Sequence, residues 1–230
     1  MSRYALYFAP EPNSLWWRVG CQWLGRDAST MSELTQPAIS GMTNVQMHTL
    51  TADARRYGFH ATLKAPFRLA QAYDIQQLDA ALSSFCEQQE SFILPTPQVQ
   101  WMGNFLALRP GTECAEINAL ATACVRHFHH FSAALTTSEI TRRAKQTLSQ
   151  RQRDLLLRWG YPYTEEEFRF HLTLSDTQKD LHSATSTQLR DAAVQYFSIN
   201  EVLKISSIAL FHEERMRADF KLLKHYNFKS

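Results

Sequence analysis

The sequence predicts an α+β fold built from two similar halves, and two observations carry that prediction. The order strand, helix, strand, strand reads out twice along 230 residues. Each occurrence opens on a strand-like segment with the pattern Phe-His-x-Thr-Leu, at 59–63 and 170–174. The hydrophobic fraction of 44% and aromatic fraction of 12% are globular values, so a packed core is expected. The chain is read as one domain over 1–230, the first motif in the 1–111 half and the second in the 112–230 half.

Each element follows from a local signal. Arg3 to Ala9 alternates and is rich in Tyr and Phe, as a strand is, and Pro10 with Pro12 ends it. Ser14 caps a helix over LWWRVGCQWL that Gly25 stops. Residues 26–53 have little periodicity and read as a long loop with one helical turn. Tyr57 to Leu69 reads as one or two strands, and Asp74 with Gln77 opens a helix that ends near Gln89. Strands are expected at 92–101 and 104–109 about a Gly103-Asn104 turn, then a helix over 112–130. In the second half, Ser149 with Gln152 caps a helix that stops at Gly160. A strand from Phe168 to Ser175, a helix at 184–197, and strands at 202–211 and 220–228 complete it.

The repeated motif is the strongest functional signal. Its recurrence by chance is expected in roughly one shuffled sequence in several hundred. Side chains alternate along a strand, so His60, Thr62 and Lys64 share one face while Phe59, Ala61 and Leu63 take the other. In the second copy Arg169, His171, Thr173 and Ser175 share the polar face. One face anchors each strand in a core; the other presents an imidazole, a hydroxyl and a cation or second hydroxyl.

That combination suits a phosphate. In-line cleavage of a phosphodiester removes a proton from the entering oxygen and delivers one to the leaving oxygen on the opposite side of phosphorus. Two histidines, each with a reference pKa of about 6.5, divide that work near neutral pH. Thr62 and Thr173 would donate to the non-bridging oxygens. The arrangement requires no metal and no organic cofactor. A single His-x-Thr would more often be a half-buried strand pair; two copies in matching context reverse that balance.

The paired motifs resemble the 2H phosphoesterase superfamily. Arg3-Tyr-Ala-Leu-Tyr-Phe-Ala-Pro, Trp23-Leu-Gly-Arg-Asp27, the stretch from Arg56 to Phe67, Arg158-Trp-Gly-Tyr-Pro-Tyr163 and Glu167 to Leu174 are similar to the branch encoded with bacterial phosphonate-utilisation genes. The resemblance implies two pseudo-symmetric lobes of antiparallel sheet with flanking helices, facing a central groove, with one His-x-Thr strand from each. It implies a small cyclic phosphate or phosphodiester as substrate, a phosphorylated ribose cyclic phosphate being the specific expectation. Helices at about 138–159 look like an addition to that fold, able to cover the groove.

Beside the four motif residues, Arg26, Tyr57, Lys64, Arg169 and Ser175 are candidate substrate-binding residues. Lys64 is in register with His60, Tyr57 precedes the strand, and Arg26 follows a helix end. The plainer alternatives are that Lys64 is the solvent end of a strand and that Arg26 serves the helix C-terminus. Arg142, Arg143, Lys145, Arg151, Arg153 and Arg158 form a basic run whose default is a solvated face, with one or two reaching the groove as the functional alternative. His127, His129 and His130 do not share one helix face, and no metal site is expected there.

Net charge is +2, so the chain is not the basic body of a general nucleic-acid binder. A small phosphorylated substrate is the expected partner, with an RNA-end 2′,3′-cyclic phosphodiesterase or 2′-5′ ligase as the enzymatic rival and a non-catalytic phosphate sensor as the other. The apolar run before Pro10 is too short for a signal core, and no stretch reaches membrane-spanning length. Four scattered cysteines without a CxxC pair fit a reducing, cytoplasmic setting.

Overall fold

The fold is taken from a computed structural model that describes residues 2–144 and 147–229, and only the backbone of Arg142. Lys145, one of the basic run, lies outside the described residues. Strand β1 (Arg3–Phe8) is buried over its last four residues and is followed by α1 (Leu15–Leu24). Ser14 accepts the Trp17 amide at the start of α1, and Gly25 ends it at φ 82°, a conformation that glycine adopts without steric cost. Then come β2 (Arg26–Asp27), β3 (Ser32–Glu33), α2 (Asn44–Leu50), α3 (Ala52–Tyr57) and β4 (Ala61–Phe67). Helix α4 (Ile75–Cys86) opens on the Asp74/Gln77 capping box. It is followed by β5 (Phe92–Leu94), β6 (Pro97–Met102), β7 (Phe105–Pro110) and α5 (Ala115–His127). Helices α6 (Thr137–Arg143) and α7 (Gln150–Trp159) precede β8 (Leu172–Thr173), α8 (Ala184–Tyr196), β9 (Leu203–Ile205), β10 (Ser207–Glu213) and β11 (Lys221–Asn227).

Two antiparallel sheets carry the motifs, one ordered β11-β10-β1-β4 and the other β6-β7-β8. β4 ends the first sheet and β8 ends the second, and the two strands are in contact. The sheets do not follow the sequence halves. β10 and β11, which come after the second motif, build the sheet that holds the first; β6 and β7, which follow the first, build the sheet that holds the second. Each sheet therefore needs chain from both halves, and β5 paired with β9 ties the halves once more. Phe59, Ala61 and Leu63 behind β4, and Phe170, Leu172 and Leu174 behind β8, enter one continuous core with the tryptophans of α1. The alternation expected from the motif is thus realised in both copies.

Several expected elements are shorter or broken. The strand expected over 168–175 is reduced to Leu172–Thr173, because the Ser175 hydroxyl, rather than a backbone group, takes the Leu106 amide at 3.0 Å. Prolines 95 and 97 divide the 92–101 strand into β5 and β6. The 202–211 strand divides at Ser206 because β9 and β10 pair with different sheets. The 26–53 loop contains a two-stranded β2–β3 pair and the capped helix α2. The helix expected over 112–130 ends at His127 and continues as a 3₁₀ turn over His129–Phe131.

Candidate active site

The two histidines stand just before their strands and are held in the same way. Gly58 turns the chain at φ 83° and ψ 174°, which points its carbonyl at the residue two places on. The His60 Nδ1 lies 2.8 Å from that carbonyl, and the His171 Nδ1 lies 2.7 Å from the carbonyl of Arg169. A carbonyl only accepts, so Nδ1 carries the proton in both rings and, in the neutral form, Nε2 is left as the acceptor. Thr62 Oγ1 sits 3.4 Å from the His60 Nε2. The ring of Tyr7, opposite Thr62 in the β1–β4 register, stacks on His60 at 3.8 Å between centroids. Phe105 lies 5.5 Å from His171 in a tilted arrangement.

Two adjoining cavities meet at this pair. One of about 620 Å³ is lined by Thr62, His171, Asn104, Phe105, Tyr161 and Arg169. A smaller one of about 220 Å³ is lined by His60, Thr173, Tyr57, Phe105 and Thr177. Phe105 and Thr177 border both. Each cavity therefore draws its histidine from one motif and its threonine from the other. Burial lowers the His60 pKa to about 4, against the opposing effect of the Gly58 carbonyl, and the charge of His171 lowers it further. Burial also lowers His171, again opposed by its carbonyl partner. A proton on one ring disfavours a proton on the other, so a singly protonated pair provides one acid and one base.

The other candidates separate. Tyr57 lines the smaller cavity, its ring stacked on Phe220 at 5.0 Å and 6.0 Å from His60. Arg169 borders the larger cavity from the surface, one guanidinium nitrogen donating to the Glu166 and Phe168 carbonyls. Lys64 is buried and points into a further cavity beside the groove. Arg26 is a correction: it is buried, and its guanidinium donates to the carbonyls of Arg55, Arg56 and Phe220 at 2.9, 3.0 and 2.9 Å, which commits it to the end of α3. Ser175 borders the smaller cavity, as expected, but its hydroxyl is already taken, bridging the Leu106 amide and the Asp176 carbonyl. Tyr7, Phe105 and Tyr161 border the site and were not singled out from sequence. Tertiary contacts bring all three in, Tyr7 through the β1–β4 pairing. Among the described residues no three His, Cys, Asp or Glu side chains cluster to hold a metal ion.

A family model described as a protein of unknown function, DUF1045, matches residues 62–221, more than half of the chain. The chain belongs to the DUF1045 family. The matched span contains His171 and both motif threonines, and His60 stands two residues ahead of it. This DUF1045 chain is 41% identical over 223 residues to the ribose 1,5-bisphosphate phosphokinase PhnN of Janthinobacterium sp. (strain Marseille), and 35% identical over 222 residues to the protein of the same name from Laribacter hongkongensis (strain HLHK9). It spans 96% of itself in both alignments but 49% and 51% of the relatives, about half their length. Among solved structures, E. coli LigT complexed with 3′-AMP aligns over 100% of this chain and 99% of its own at TM-score 0.42 and 12% identity. A second, described as a phosphoesterase, aligns over 100% of both chains at TM-score 0.42 and 13% identity. Among the described residues no helix is long and apolar enough to cross a membrane.

Proposed function

We propose that the chain is a metal-independent phosphoesterase of the 2H type that opens or hydrolyses a small cyclic phosphate or phosphodiester. One observation carries the reading: two histidines, each donating Nδ1–H to the carbonyl two residues behind it and so left with Nε2 as acceptor, line adjoining cavities that also hold Thr62 and Thr173. In the singly protonated pair, the neutral imidazole takes the proton of a water as its oxygen bonds to phosphorus. The imidazolium delivers its Nε2 proton to the leaving oxygen as the ester bond breaks. The carbonyls of Gly58 and Arg169 stabilise whichever ring is charged, and the threonine hydroxyls donate to the non-bridging oxygens as charge grows there. The pair returns with the proton exchanged between its members.

A ribose phosphate is the substrate class proposed. Both curated relatives are named for ribose 1,5-bisphosphate phosphokinase, and this chain spans about half of each. None of its seven glycines is followed by lysine, so it carries no GxxxxGK phosphate loop. We therefore assign the kinase activity in that name to the other half of the relatives and a phosphoesterase acting on a related ribosyl phosphate to this one. A panel assayed by phosphorus NMR tests it: phosphorylated ribose cyclic phosphates should be turned over with higher kcat/KM than nucleoside 2′,3′-cyclic phosphates, and both well above RNA oligomers. A preference for oligonucleotides with a steep salt dependence would make it an RNA-end enzyme instead. Tight binding without turnover of any member would make it a sensor.

A further inference from the structure

Beside the groove, under α6 and α7, lies a cavity of about 350 Å³ bordered by more basic than acidic side chains among the described residues. Arg3, Lys64, Arg68, His129, Arg143 and Arg158 line it, with Glu139 as its carboxylate. Glu139 is taken up by Arg68 at 3.0 Å and by the α6 capping box, and Arg3 is paired with Glu213. Lys64 is 4% exposed and makes no hydrogen bond or ion pair among the described residues; its ammonium faces the Phe67 ring at 5.1 Å. Arg158, exposed at the cavity rim, lies against the Trp159 ring at 4.7 Å. Four of the six buried side-chain atoms without a partner among the described residues, His129 Nδ1, Ser132 Oγ, Trp159 Nε1 and Thr164 Oγ1, belong to residues that border this same cavity.

Each such orphan costs about 1–3 kcal/mol, and a buried ammonium without a counter-charge costs more. Scattered orphans would be packing faults. Gathered with an ammonium and a guanidinium around one space, they describe a site for a ligand rich in acceptor oxygens. Trp159 and Lys64 only donate, so the ligand must accept. Burial has pushed Lys64 down to about 8, a cost that an anion in the cavity would relieve. The cavity also joins the groove. Thr62 lines the groove and Lys64 lines the cavity, two residues apart on β4 or roughly 6.6 Å. Val125, Tyr161 and Thr164 border both spaces. That separation suits two phosphates carried on one pentose.

We infer that this cavity is a second phosphoryl site, in which Lys64, His129, Ser132, Arg158, Trp159 and Thr164 hold a terminal phosphate monoester of the substrate whose reacting phosphate lies between His60 and His171. The assignment rests on the phosphoesterase reading for what occupies the groove, though the anion site itself does not depend on turnover. It explains what α6 and α7 are for: they roof the second phosphate and limit the substrate to one sugar.

Two measurements separate the site from the reaction. In the first, kcat/KM is compared for a ribose cyclic phosphate with and without a second phosphate on the far carbon. The wild type should prefer the doubly phosphorylated compound, and Lys64→Met or Arg158→Gln should cut that preference at least tenfold. An equal fall for both compounds would overturn the site. In the second, inorganic phosphate is titrated calorimetrically into the inactive His60→Ala/His171→Ala protein, with folding checked by circular dichroism. One bound phosphate, weakened at least tenfold by adding either Lys64→Met or Arg158→Gln, is expected. Absence of millimolar binding, or binding indifferent to both substitutions, would overturn it. Lys64-dependent phosphate binding in a protein that turns over no cyclic phosphate would keep the site and reject the phosphoesterase.

Discussion

At the scale of the residue, the pair is defined by what lies behind each ring. The Gly58 and Arg169 carbonyls select the tautomer, and Tyr7 and Phe105 hold the ring planes. His60→Ala and His171→Ala are each expected to lower turnover by roughly 10²–10⁴, the usual contribution of a general acid or base, with an unchanged far-ultraviolet circular dichroism spectrum. Near-wild-type turnover in either variant would refute the pairing. The pH dependence follows from burial. His60 is lowered to about 4 and His171 is also lowered from 6.5. As pH falls through the lower pKa the base gains a proton and activity is lost; as pH rises through the higher one the acid loses its proton. Both limbs of kcat/KM, which reports the free enzyme, thus fall on the acid side of about 6.5. An optimum near pH 8 would contradict two buried imidazoles as the acting groups.

At the scale of the element, α3 is the part that aims the first histidine. The Asp176 carboxylate, three residues beyond Thr173, accepts the Asp53 and Ala54 amides at its start, and Arg26 holds the carbonyls at its end. Both anchors come from distant chain, so the second motif helps to position the first. Arg26→Gln should therefore destabilise the protein by a few kcal/mol, since charge-assisted hydrogen bonds contribute about 1.5–3 kcal/mol each. Thermal unfolding reads this directly; an unchanged Tm with a raised KM would return Arg26 to substrate binding. Helix α1 presses on the same segment. A Cβ at Gly20 would stand 2.1 Å from Cδ1 of the fully buried Phe59, next to His60. Gly20→Ala should cost roughly 1–3 kcal/mol by overpacking, read as a fall of about 2–4 °C in Tm for each kcal/mol. It should also lower kcat, because Phe59 cannot shift without carrying His60.

At the scale of the whole molecule, exchange of strands between the halves makes the groove a product of the complete fold. A fragment ending after β7 would lack β8, β10 and β11, and with them one histidine and half of the sheet that carries the other. The charge distribution is local: a net +2 conceals a cavity bordered by five Lys or Arg side chains and one carboxylate among the described residues. Binding of a small doubly charged substrate should weaken with salt, but far less steeply than the binding of a nucleic-acid strand across many phosphates. The reaction as proposed takes its protons from histidine, so exhaustive chelation should leave turnover intact, with metal analysis run on the same sample. Loss on chelation with recovery on one divalent ion would replace the two-histidine chemistry with a metal-assisted one.

The sequence by itself determined the two motif segments, their core-facing residues, the helix caps and the four residues that the proposed chemistry uses. These are local matters: alternation, capping and turn chemistry act over a few residues, and a duplicated pattern displays them twice. Lys64, expected on the face of His60 and Thr62, lines the neighbouring cavity instead. What only the tertiary structure decided is who stands beside whom. Arg26 and Ser175 carry the right chemistry for a phosphate, yet distant carbonyls and a distant amide claim them first. His129 and Trp159, which nothing in the sequence joins to the motif, border the same cavity as Lys64. Polar groups are indistinguishable in sequence when bound to protein or waiting for a ligand, because the difference lies in which partners the packed chain brings within hydrogen-bond reach.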